Sequence, residues 1–74
     1  MEQKIFDLFY RYSGQEVNSN TNIGDLGIDS LGMVDLSFDI EKEFNIQLSN
    51  KEFVQNFDGR NTISDIVELV KNKL

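Results

Sequence analysis

The sequence predicts an all-α fold: a four-helix bundle with a short third helix and a long first loop. Three observations carry this expectation. Apolar residues recur at the 3.6-residue helical period in three separate stretches. Capping patterns stand in front of the later stretches. The one alternating segment, Ile46-Gln47-Leu48, has no partner strand and reads as an extended connector.

Residues 2–13 form the first predicted helix. Ile5, Leu8, Phe9 and Tyr12 repeat at i, i+3, i+4, i+7, and Phe6 and Tyr10 widen that stripe. Ser13-Gly14 ends it, glycine being suited to the left-handed position after a helix. Residues 14–28 read as a long loop. Asn18, Ser19, Asn20, Thr21 and Asn22 favour turns through side-chain bonds to nearby backbone. Val17, Ile23, Leu26 and Ile28 would pin this loop to the core.

Residues 30–44 form the second helix, with Asp29 as its N-cap and Asn45 as its end. Its wheel has two apolar arcs. Met33, Leu36, Ser37, Ile40 and Phe44 fill one; Leu31, Val34 and Phe38 fill a roughly opposite one. A small domain readily buries one broad face of a helix. The Met33 face is therefore expected inside, with Leu31 and Phe38 partly exposed near Ser30. Ser49 to Glu52 fits a capping box for a short third helix, with Phe53, Val54 and Phe57 on its apolar side. Asp58-Gly59 stops it. Thr62 opens the last helix, where Ile63, Ile66, Val67, Val70 and Leu74 form the stripe and Lys71 and Lys73 complement the negative helix end. Phe6, Phe9, Phe53 and Phe57 could line a pocket or fill it.

Composition narrows the function. At 74 residues the chain is read as one domain, 1–74, with marginal stability. It contains neither cysteine nor histidine. That removes disulfides, thiolate metal sites and the commonest general base and metal ligand. No metal site is expected: a calcium loop starting at Asp25 would put Leu36 where a glutamate is needed. Serine hydrolysis lacks its histidine and its nucleophile elbow. Asp25 and Asp29 could suggest acid-base chemistry, but a small bundle offers little room for a substrate cleft. No phosphate-binding or dinucleotide-binding glycine loop is present. No apolar run could span a bilayer, and the N-terminus lacks a signal-peptide pattern, so a cytoplasmic protein is expected.

The net charge is -6, and it is localised. Residues 25–58 hold eight acids and two bases; the other forty residues hold five of each. Nucleic acid is a poor partner for such a surface, whereas a basic protein patch would be steered to it. Plain solubility explains a charge of this size equally well.

That segment begins just before Ser30. A phosphate ester on its hydroxyl would lie near free amides at a positive helix end, although Asp29 would oppose it locally. Taken by itself, an Asp-Ser pair at a helix start is ordinarily only a cap. The wider pattern adds to this. Leu26-Gly27-Ile28-Asp29-Ser30-Leu31, then Val34-Asp35-Leu36, Ile40-Glu41 and Phe44-Asn45-Ile46, resembles the acyl carrier protein family over nearly the whole chain.

The resemblance implies a carrier and not an enzyme. Ser30 would bear 4'-phosphopantetheine, attached covalently from coenzyme A by a phosphopantetheinyl transferase. The arm's thiol would hold acyl groups as thioesters. Acyl-loading and acyl-processing enzymes with basic patches would dock at Asp29, Leu31, Asp35, Phe38 and Glu41. The implied protein is a monomeric, stand-alone carrier of fatty-acid, polyketide or related biosynthesis. Gly32 stands where fatty-acid carriers often have an acid, and Lys42 interrupts the acidic run. A glycine there, with an aromatic-rich third segment, is also similar to D-alanyl carriers of cell-envelope modification. Aminoacyl carriage for peptide synthesis is a further alternative. An unmodified acidic interaction module is the alternative of a different class.

Overall fold

The structure, a computed structural model, describes residues 1–74. Four helices follow one another: α1 (Glu2–Ser13), α2 (Ser30–Phe44), α3 (Asn50–Asn56) and α4 (Ile63–Lys73). There are no strands. Local chemistry sets most of the boundaries. Gly14 takes the left-handed conformation (φ 72°) and its N–H donates to the Tyr10 carbonyl, closing α1. Asp29 caps α2, its carboxylate accepting from the Gly32 N–H at 2.7 Å. Asn45, at φ 55°, ends α2 as expected. Both halves of the Ser49–Glu52 capping box form, at 2.9 and 3.1 Å. At α4 the Thr62 N–H donates to Asp65 Oδ2 at 3.0 Å.

The core lies where α1, α2 and α4 meet. Ile5 and Phe9, Leu36 and Ile40, Ile63, Ile66 and Val70 are fully enclosed. Each such side chain contributes about 1.5–3 kcal/mol by leaving water, so this region dominates the stability. The inward face of α2 is the expected one: Met33, Leu36, Ser37 and Ile40 are buried. The buried Ser37 hydroxyl is satisfied by the Val34 carbonyl at 2.6 Å.

Three apolar residues lie outside the faces assigned to them. Tyr10 is 48 % exposed, because it lies well round α1 from Ile5 and Phe9. Val54 is 66 % exposed: in a two-turn helix only Phe53 and Phe57, four residues apart, can share the inner face. Leu74 is 71 % exposed, since α4 ends at Lys73 and the chain has passed the core.

The first loop is more ordered than expected. Ile23–Leu26 is a 3₁₀ turn capped by the Asn22 side chain, and Ile23 and Leu26 are buried. This segment pairs with the chain entering α4. Asn22 and Thr62 form an isolated antiparallel bridge. Around it, the Ile23 N–H donates to the Asn61 carbonyl at 2.8 Å and the Ile63 N–H to the Thr21 carbonyl at 3.0 Å. At its end the Gly24 N–H donates to the Gly59 carbonyl at 3.0 Å. A Cβ on Gly24 would lie 2.5 Å from that oxygen, so only glycine permits the approach. No helix is long and apolar enough to cross a membrane.

Candidate functional site

Ser30 is the first residue of α2 and is exposed. No hydrogen bond engages its hydroxyl. The Asp29 carboxylate takes the Gly32 N–H and the Asp29 carbonyl takes the Met33 N–H, while the N–H groups of Ser30 and Leu31 have no partner. A helix start of this kind presents free donors and partial positive charge. Gly32 fits here for a steric reason: a Cβ would meet an Ile28 methyl at 2.8 Å and the capping carboxylate at 3.1 Å. The first turn of α2 therefore carries no acid beyond its cap.

Beside Ser30 opens a cavity of about 290 Å³. Its walls are Ile23, Ile28, Met33, Val34, Phe53 and Phe57, with the backbone of Gly24 and Gly59 as a floor. A second cavity of about 210 Å³ lies farther along α2, between Phe38 and Glu41 on one side and Leu48 and Asn50 on the other. Val34 and Phe53 border both. Phe53 and Phe57 stack with ring centres 5.1 Å apart, so these two line the cleft. Phe9 instead fills the core, and Phe6 packs half-buried at its edge. The sequence leaves open whether Phe53 and Phe57 line a pocket or fill it; the other walls of the cleft come from distant segments that carry no local signal.

The acidic segment divides into two groups. Six of its acids are engaged within the chain, the cap Asp29 among them. Asp39 accepts from the Tyr12 hydroxyl, which pushes that phenol up to about 12. Glu41 accepts from the Leu48 N–H at 2.7 Å. Glu43 pairs with Lys4 at 3.2 Å, Glu52 with Lys73 at 2.7 Å and Asp58 with Arg60 at 3.1 Å. Lys73 first, then the Ser49 N–H, hold the Glu52 carboxyl below its usual range. Asp58 is lowered likewise by the Arg60 N–H and guanidinium. That leaves Asp25 and Asp35, while Asp29 keeps its cap bond but, like them, has no cation partner. Among the expected docking residues, Asp29, Leu31 (78 % exposed), Asp35 and Phe38 (58 % exposed) face solvent along α2. Glu41 does not match them: it is half-buried and its carboxylate is occupied.

Residues 4–70 match the family model described as "Phosphopantetheine attachment site". The chain belongs to the acyl carrier protein family. Two curated relatives agree with this. One is Nodulation protein F of Rhizobium leguminosarum bv. viciae, 34 % identical over 80 % of this chain and 63 % of the relative. The other is the acyl carrier protein of Thermotoga maritima, 38 % identical over 70 % of this chain and 59 % of the relative. The chain thus aligns with less than two thirds of either relative's length. As an acyl carrier domain it holds 4'-phosphopantetheine covalently and carries a load; it is not a catalyst. The residues around Ser30 fit that group. The hydroxyl has no bond to give up, two free amides can meet a phosphate, and an apolar cavity adjoins it.

Proposed function

We propose that Ser30 is the attachment residue, and that the chain presents acyl thioesters to enzymes of fatty-acid, polyketide or related biosynthesis. The observation that carries this is the free, exposed Ser30 hydroxyl at the head of α2, on the rim of the apolar cavity. The chain has no histidine and no side chain bonded to Ser30 Oγ, so it does not activate its own serine. A phosphopantetheinyl transferase must accept the hydroxyl proton as Oγ forms the phosphodiester and the nucleotide part of coenzyme A departs. The arm's terminal thiol supplies the thioester bond to cargo. Docking falls to Asp29, Leu31, Asp35 and Phe38: two exposed carboxylates without a cation partner steer a basic patch, and two exposed apolar side chains give it contact area. The protein acts as a cytoplasmic monomer.

Incubation of the apo-protein with a broad-range transferase and coenzyme A is expected to add one arm, read by intact mass. Ser30→Ala is expected to gain nothing. An equal gain by that variant would overturn the assignment, and no gain by the parent would favour an unmodified interaction module.

The apolar walls of the cavity favour an acyl chain as cargo. A second reading, D-alanyl or other aminoacyl carriage, is favoured by Gly32 and the acid-free first turn. Loading separates the two. Each methylene that enters the cavity adds about 0.8 kcal/mol. In a domain this small, each kcal/mol raises the melting point by roughly 4–8 °C. A hexanoyl load is expected to raise it above the holo form, and a D-alanyl load to leave it unchanged. A flat response to hexanoyl would shift the assignment to aminoacyl cargo.

A further inference from the structure

Glu41 holds the chain that leaves α2. Three donors of that turn converge on it. The N–H groups of Asn45 and Ile46 reach its carbonyl, the latter at 3.0 Å, and the Leu48 N–H reaches its carboxylate at 2.7 Å. The connector it fixes runs straight into Ser49, the cap of α3. That matters because α3 has little else to locate it against α2: none of its seven residues is buried, and its main helical neighbour is α4. The cleft walled by Val34 and Phe53 lies in the space between, and Glu41 itself borders the second cavity.

We propose that Glu41 is a positioning residue for the cargo cleft and not a docking charge. Its carboxylate sets where the connector, and with it α3, stands relative to α2, and so sets the width of the cavity beside Ser30. This rests on the carrier reading above for the cargo, but not for the geometry. Glutamate is required for its reach. An aspartate at this place keeps the charge and falls short of Leu48, whereas a glutamine keeps the acceptor and loses the charge. The two substitutions therefore separate the roles.

Three measurements on full-length apo and loaded protein decide the matter. They are hydrogen exchange of the Leu48 amide, the transferase KM, and the melting-point gap between holo and hexanoyl forms. Glu41→Asp is expected to accelerate Leu48 exchange by about ten- to a hundredfold, the worth of one bond to a charged acceptor, and to shrink the hexanoyl gap. Glu41→Gln is expected to retain the gap and the parent KM. Asp35→Asn, which removes a free surface carboxylate, is the control expected to raise KM. Retention of Leu48 protection and of the gap in Glu41→Asp would overturn the proposal. So would a rise in KM for Glu41→Gln matching that of Asp35→Asn. If the parent accepts no arm, the carrier reading fails, while Leu48 exchange still judges the role of Glu41.

Discussion

On the side formed by α1, α2 and α4, Ile5, Phe9, Leu36, Ile40, Ile66 and Val70 are all enclosed, whereas α3 buries none of its own residues. The first side is held by apolar burial. The second is held by its capping box, the Lys73–Glu52 pair, the Glu41–Leu48 bond and the Phe53–Phe57 stack. Apolar packing is cooperative and tolerates little displacement. Polar links at a surface are individually weak and can be rearranged. The cleft beside Ser30 lies on the border between the two, with one wall fixed and one adjustable.

The largest expected effect tests the fixed side. Phe9→Ala should cost about 3–5 kcal/mol, much of the total for so small a domain. Phe53→Ala should cost less than half as much, because Phe53 is only partly buried and already faces empty space. Urea unfolding of both variants checks this; equal costs would erase the distinction between the two sides.

A smaller effect comes from Tyr12, which joins α1 to α2 through Asp39. Tyr12→Phe should lose about 1 kcal/mol at neutral pH. The Asp39 hydrogen bond raises the folded phenol to about 12, so the folded chain binds that proton more tightly than the unfolded one, whose value is about 10. The bond's contribution is therefore whole below pH about 10 and is lost as pH rises through about 12. Unfolding midpoints across this range should show a constant gap between parent and variant that closes at the alkaline end.

The smallest effect belongs to the adjustable side. Lys73→Met removes the partner that lowers Glu52. A lowered carboxyl stabilises the fold above its unfolded value and loses that contribution as pH falls through the folded one. The variant should therefore differ slightly from the parent at neutral pH and low salt, and converge on it as pH falls through the folded Glu52 value or in molar salt. A difference that survives both conditions would mean that the lysine stem, and not its charge, packs α3 against α4.

The helices were legible because their signals are local. Gly14, Asp29, Asn45 and the Ser49–Glu52 box act within a few residues, and the two arcs of α2 follow from its period. The bridge between Asn22 and Thr62 was not legible, because it joins segments forty residues apart that carry no periodic pattern. Tyr10, Val54 and Leu74 were misplaced because an apolar side chain at a stripe edge or helix end need not find a neighbour. At the site, the exposure of Leu31 and Phe38 followed from the wheel. The division of the acids did not, since Glu41 and Leu48, or Asp39 and Tyr12, meet only after folding.

The contact between Gly24 and Gly59 has a consequence for how this carrier could be retuned. The floor of the cavity is main chain, and main chain has no rotamers to change and no side chain to trim. Mutation can hardly reshape it without breaking the loop pairing beneath. Any change in the size of the cavity must come through its side-chain walls, at Ile23, Ile28, Met33, Val34, Phe53 and Phe57. Selection for a new load would thus act on a few side chains facing a floor that stays as it is.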